Sequence, residues 1–320
     1  MQISGGVVLS GGVNLAPGSG GSSGGGYSFQ GSNYGYASGG FYNPPNTYYN
    51  TIDKFPFASD GNATDVGDLT FARSNLAGQS SSTSGYSSGG NTGSTPEYTN
   101  TIDKFPFASN GNATDVGDLT DSKWRLAGQS SSTNGYCSGG RNPSSFLNVI
   151  EKFPFASDDN ATDVGDLTVA RDIISGQSST ISGYTSGGRE LSGLSNTIDK
   201  FPFASDGNST DVGDLTQARN GVAGQSSTAS GYSSGGETPS AVNTIDKFPF
   251  ASDGNSTDVG DLTQARSGAA GQSSTASGYS SGGAPPFSNV IDKFPFATDG
   301  NATDVGDLTI ARSGAAGQQY

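Results

Sequence analysis

The chain has 320 residues, 51 of them Gly and only 31% hydrophobic, with a formal charge of −14 and no His. An acidic chain without a Lys/Arg cluster repels phosphate backbones and anionic lipid, which argues against nucleic-acid and membrane-surface partners, and apolar runs of a few residues are too short to cross a bilayer. Low hydrophobicity with high charge can mean disorder, but 17 Phe and 13 Tyr recurring at fixed spacing supply apolar surface that a disordered chain lacks, so an ordered, turn-rich β architecture is expected.

Residues 1–34 read differently from the rest. Gly5-Gly6-Val7-Val8-Leu9-Ser10 is followed at once by Gly11-Gly12-Val13-Asn14-Leu15-Ala16, a six-residue echo, and then by a Gly/Ser tether from Gly18 to Gly26. Two short apolar strands cannot fold alone. We expect Val7, Val8, Leu9, Val13 and Leu15 to form an assembly arm that adds strands to a neighbouring subunit or another protein; the alternative is a disordered leader. No basic segment and apolar stretch follow Met1, so no standard secretory signal is expected.

From residue 35 to 320 the chain is periodic. The motif I-[DE]-K-F-P-F-A begins at Ile52, Ile102, Ile150, Ile198, Ile245 and Ile291, at spacings of 50, 48, 48, 47 and 46. Each copy runs through D-V-G-D-L-T to a basic residue, then to A/S-G-Q and G-Y-x-S-G-G. That is four short strand candidates separated by Gly, Asn, Asp and Ser turns, which predicts an all-β, six-bladed β-propeller.

In a typical repeat the strands are expected at Ala269–Ser274, Gly278–Gly283, Asn289–Ala297 and Thr303–Thr309. Strand three alternates, with Ile291, Lys293, Pro295 and Ala297 on one face and Asp292, Phe294 and Phe296 on the other. The two Phe are read as packing between blades, with carbohydrate stacking as the minor alternative. Pro295 within a strand suggests an outer strand or a bulge. The last copy stops at Ala316-Gly317-Gln318-Gln319-Tyr320, whereas Gly35-Tyr36-Ala37-Ser38-Gly39-Gly40 precedes the first I-D-K-F-P-F-A. The ring therefore closes by pairing the two termini in one blade, with the C-terminal tail as its inner strand.

A Gly-Gly doublet ending strand two, an aromatic third strand and a fourth strand leading to Arg resemble the kelch repeat, over about residues 35–320. Phe stands where that repeat has its tandem Tyr and Trp. The segment F-P-F-A-S-D-G-N-A-T-D-V-G-D-L-T is also similar to repeat proteins encoded by marine bacteriophages, especially those of cyanobacteria. That resemblance implies a non-enzymatic virion protein, a fibre or decoration component of tail or head held by its N-terminal arm, with other virion proteins or a second copy as partners. The other reading is a free, extracellular lectin-like propeller that binds a host-surface glycan.

Antiparallel strands put the turns joining strands one to two and three to four at one pole, and those joining two to three and four to one at the other. The first pole is uniform, typified by Ser205 to Asp211; the second varies in length and content in every blade. Specificity on rigid scaffolds is written in such loops, so the partner-binding face is placed there, with Phe41, Tyr42, Tyr48, Tyr49, Tyr98, Trp124, Arg141, Phe146, Arg189 and Phe287 as candidate contacts and its aromatics expected to be exposed. Simple drift of unconstrained loops is the competing reading.

The uniform loops invite a calcium reading through Asp206, Asn208, Asp211 and Asp214. Their spacing departs from the EF-hand pattern, and Asp or Asn before Gly is ordinary turn chemistry, so turns are preferred and no cofactor is expected. The repeated basic residue, Arg73, Lys123, Arg171, Arg219, Arg266 or Arg312, is expected to pair with an Asp of its own or the next blade. Cys137 stands where other repeats have Ser or Thr and reads as a small strand residue, not a reactive thiol. Without His there is no Ser-His-Asp, Cys-His or His-metal chemistry, and six equivalent carboxylate sets point to architecture, so catalysis is not expected.

Overall fold

The computed structural model describes residues 29–320, so Val7, Val8, Leu9, Val13 and Leu15 lie outside the described residues. The described chain has no helix. It forms six four-stranded antiparallel sheets arranged as a six-bladed β-propeller, plus two small ribbons, Phe41–Tyr42 with Thr47–Tyr48 and Arg189–Glu190 with Gly193–Leu194.

In blade six the strands are Ala270–Ser273, Ser277–Ser281, Val290–Pro295 and Thr303–Asp307, paired in that order outward from the axis. These lie within one or two residues of the expected bounds. Closure is as expected: Ala316–Gln319 is the inner strand of blade one, with Gly35 opposite Gln319 and Ser38 opposite Ala316. The Tyr34 and Tyr320 amides and carbonyls bond each other at 2.8 and 2.9 Å, extending that pairing to the last residue.

Pro295 requires a correction. It sits on the third of four strands, not on the outer one. The outer strand is short and its last partner is Lys293, opposite Thr303. The Phe296 amide donates inward to the Ala276 carbonyl at 3.0 Å, so the neighbouring Pro295 nitrogen points outward, beyond the end of the outer strand, where no donor is needed. A bulge at Ile291/Asp292 does occur on that side.

The alternation of strand three joins the blades. Phe294 and Phe296 pack on Tyr232, Ile245 and Leu262 of blade five, while Tyr279, Ile291 and Leu308 receive Phe55 and Phe57 of blade one. Tyr279 stacks on Phe57 with centroids 4.7 Å apart, a contact recurring at four further junctions and tilted to 30° at the sixth, Tyr36 with Phe107. Each blade thus offers a Tyr-Ile-Leu side to one neighbour and a Phe-Phe side to the other, a closed circuit of apolar burial.

Polar rings reinforce it. Gln79, Gln129, Gln177, Gln225, Gln272 and Gln318 on the inner strands each donate Nε2 to the Tyr carbonyl of the next blade at 2.9–3.1 Å. The neighbouring glycines crowd the axis: a Cβ on Gly78 would overlap the Gly317 carbonyl, so only glycine lets the inner strands approach this closely. The axis holds a cavity of about 100 Å³, lined by the Ala-Gly pairs of five blades, by Ser175-Gly176 of blade four and by Phe29.

Candidate functional site

At the uniform pole three of the four candidate calcium ligands, Asp206, Asn208 and Asp211, are occupied by architecture, while Asp214 takes part through its backbone amide, which donates to Asn255 Oδ1. Asp206 accepts from Lys152 Nζ at 2.6 Å, Asn208 Oδ1 receives the Asp166 amide at 3.0 Å, and Asp211 Oδ1 receives its own Gly213 amide at 3.1 Å. Equivalent bonds recur around the ring, so these loops clasp blade to blade. Among the described residues no group of three or more His, Cys, Asp or Glu stands close enough to hold a metal ion.

The repeated basic residues pair with the acid of I-[DE]-K on strand three of the blade that follows them: Arg73–Asp103, Lys123–Glu151, Arg171–Asp199, Arg219–Asp246, Arg266–Asp292 and Arg312–Asp53, at 2.8–3.2 Å and almost wholly buried. The D-L-T threonine of the preceding blade adds its hydroxyl and amide to the same carboxylate, as Thr70 does to Asp103. Each of these six acids is thereby bonded and locks two blades together. The Cys137 thiol is buried against Gln79 Nε2, and burial, with Glu151 beside it, pushes its pKa up to about 12; it is a packing residue.

The described chain begins at the uniform pole. Phe29 lines the axial cavity, Gln319 Nε2 donates to its carbonyl at 3.0 Å, Gln30 Nε2 reaches the Ser226 carbonyl, and the Gly31 amide bonds Ser273 at the end of an inner strand. Phe29 therefore lies close to the ring axis, at the pole opposite the variable loops.

The variable pole holds what is not repeated. Of the 15 Lys and Arg, six belong to the buried pairs and six are the I-[DE]-K lysines; only Arg125, Arg141 and Arg189 remain. All three meet over blades two to four. Arg189 clamps Asp172 through Nε and Nη2 at 3.1 and 2.9 Å, and Arg125 approaches the same carboxylate at 3.5 Å. The Arg141 guanidinium lies 5.3 Å from the Trp124 ring and 5.2 Å from that of Phe146, which Arg189 also faces at 5.5 Å.

Beside this cluster runs a groove of about 790 Å³. Arg141, Ser144, Ser145 and Phe146 of the blade-three loop form one wall, Glu190, Leu191 and Ser192 of the blade-four loop the other, and Val169 and Ala170 the floor. A smaller groove of about 330 Å³, between Phe71-Ala72 and the loop at Thr92 to Thr99, occupies the corresponding place one blade pair away.

The chain is similar to the solved structure of YjhT, with a TM-score of 0.64 and 11% identity over 78% of this chain and 88% of that one. The likeness is one of fold. Known protein families and curated proteins give no match to the sequence.

The aromatics expected to be exposed are not. Trp124 is 7% exposed, stacked on Tyr98 with ring centroids 3.6 Å apart and planes 5° from parallel. Phe41, Tyr42, Tyr48 and Phe287 are half-buried in one cluster spanning the loops of blades one and six, and Tyr49 and Phe146 are half-buried as well. The reason is mutual: the aromatic side chains of these loops cover one another, and burial, helped by the Glu97 carboxylate beside it, raises the Tyr98 phenol. Of the predicted contacts, Arg141 and Phe146 line the large groove and Arg189 braces it, whereas Phe41, Tyr42, Tyr48 and Phe287 lie at the junction of blades six and one. The sequence reading passed over Val169, Ala170, Glu190, Leu191 and Ser192. Subtracting the repeat from the charge would have pointed there, because it leaves three cations in three neighbouring blades.

Proposed function

We propose that this is a non-catalytic display propeller of a virus particle, anchored through its N-terminal arm at the uniform pole and presenting the variable pole for attachment. The observation that carries the polar arrangement is the entry of the chain at Phe29 on one pole, with the unrepeated cations and the large groove on the other. An anchor and a recognition surface placed at opposite ends let a rigid ring engage two bodies without interference. The virion assignment rests on the resemblance of the kelch-like repeat wording to marine phage proteins. It is tested by mass spectrometry of purified phage particles from a producing host. The protein should appear at stoichiometric copy number, and its absence from intact particles would remove the virion role while leaving the binding face.

A second reading, a free glycan-binding module, is favoured by Phe146 lying with Ser144, Ser145 and Ser192 in one groove. Saturable binding of the isolated ring to an arrayed oligosaccharide, with no presence in particles, would select it.

A further inference from the structure

We infer that the groove between the blade-three and blade-four loops docks a polypeptide segment of an external partner that presents an apolar side chain beside a carboxylate. This deepens the proposed function and rests on the variable pole being the recognition face.

The apolar half comes from exposure. The exposed large hydrophobic side chains among the described residues are Val169, Ile181, Leu191 and Leu194, at 42%, 70%, 92% and 36%. Three of these four belong to this one place: Val169 floors the groove, Leu191 tops its wall, and Leu194 sits opposite Arg189 in the ribbon that carries that wall. An acidic, Gly-rich ring that, Ile181 apart, otherwise keeps such side chains inside among the described residues gains nothing for folding from a Leu held out on a hairpin; covering it by a partner does bring a gain.

The acidic half comes from charge. Arg141 is the groove's cation, it has no ion-pair partner among the described residues, and its Nε is buried without a hydrogen bond. The other charged groups nearby are engaged or stand apart. Asp172 is clamped by Arg189 and Arg125, Asp121 receives Asn142 Nδ2, and Glu190 on the far wall accepts the Ser192 hydroxyl at 3.1 Å. A carboxylate arriving on the Arg141 side completes a cation that the fold leaves open, and a surface carrying −14 overall repels acidic partners everywhere else, which fixes their register here. The aliphatic walls favour polypeptide over glycan. The one aromatic ring in the groove, Phe146, is already faced by two guanidiniums, and Leu191 and Val169 offer a sugar no hydrogen bond.

The test uses the full chain and two probes. Anilinonaphthalene sulfonate, an apolar body bearing an anion, is titrated first; Trp124, the sole tryptophan, stacks beside Arg141 and transfers excitation to a probe bound in the groove. Saturable binding at one site is expected, weakened about tenfold by Leu191→Ser and by Arg141→Gln. Leu191 is almost fully solvated, so its substitution leaves folding intact, as an unchanged melting curve will verify. The bound probe is then displaced with acetyl-Leu-Asp-Leu-Asp-amide. Displacement by this peptide, and not by its Asn counterpart, supports the inference. Probe binding indifferent to both substitutions overturns it, as does equal displacement by the Asn peptide. Displacement by neutral oligosaccharides alone overturns the polypeptide claim yet keeps the variable pole as the binding face, whereas failure of the face itself shows as no saturable binding at all.

Discussion

Lys123 bonds Glu151 at 2.9 Å in the blade where the repeat departs from Arg and Asp at both positions together. The shorter cation meets the longer acid, so the combined reach of the pair is kept. Both side chains are buried, and the Thr120 hydroxyl and amide complete the carboxylate as threonines do elsewhere in the ring. Glu151→Ala leaves the Lys123 ammonium buried and uncompensated and should cost about 3–5 kcal/mol. Lys123→Arg or Glu151→Asp alone should each destabilise, by overfilling or by leaving a gap, while the double variant returns to near the wild-type value. Urea unfolding of the four proteins measures this coupling directly.

Surface clasps between blades are weaker and tell a second story. Lys104, Lys152, Lys200, Lys247 and Lys293 each reach an Asp at 2.6–2.9 Å, but Lys54 faces Asn110 at 3.4 Å and lies 4.0 Å over the Tyr34 ring. Burial accordingly lowers the Lys54 pKa, whereas the Asp bonds raise those of Lys104, Lys200 and Lys247. Asn110→Asp should raise the Lys54 value, seen by NMR titration. The gain in stability should be no more than about 0.5 kcal/mol, falling with added salt.

Closure depends on five residues. Removing Ala316 to Tyr320 takes the inner strand from blade one, bares the edge of Tyr34–Ser38, and breaks the Gln318 bond to the Tyr86 carbonyl. The shortened chain should melt at markedly lower temperature and self-associate with rising concentration, as light scattering would detect. A shortened monomer with an unchanged melting curve contradicts this view of how the ring is held.

High pH should destabilise the ring. Burial raises the phenols of Tyr36, Tyr86, Tyr136, Tyr184, Tyr232 and Tyr279 above the ordinary value of 10.0, and the Cys137 thiol from 9.0 to about 12. For such acids the folded state keeps its protons longer than the unfolded chain, so stability is complete below about pH 9 and declines as pH rises above it. The phenolate absorbance of these six tyrosines should therefore appear in one cooperative step with unfolding, and Cys137 should resist thiol reagents until that step.

Much of this architecture was legible in the repeat. The spacing of I-[DE]-K-F-P-F-A marks the blades, the alternation of Ile291, Phe294 and Phe296 marks their two sides, and the count of G-Y-x-S-G-G against A/S-G-Q shows where the termini meet, because each follows from periodicity. Pro295 misled, since a strand's position in a sheet depends on how far its neighbour extends, and that is not local information. The groove was hidden for a related reason. Phe146, Val169 and Leu191 come from three separate connections and are not repeated in the other blades, and only the ring brings them together. Trp124 was misjudged as exposed because its cover, Tyr98, comes from a loop 26 residues earlier in the chain.

The proposed opposition of anchor and recognition face is tested most directly by thiol footprinting on assembled particles. Ile181, 70% exposed, lies in a turn of the uniform pole, and Leu191, 92% exposed, lies on the variable pole; native Cys137 is buried and silent. Ile181→Cys and Leu191→Cys proteins are incorporated into particles and treated with a bulky maleimide, with the free proteins as reference. The prediction is that Leu191→Cys reacts as fast in the particle as in solution while Ile181→Cys is protected. Protection of Leu191→Cys with free reaction of Ile181→Cys would contradict it, placing the variable loops against the particle and the arm on the outside.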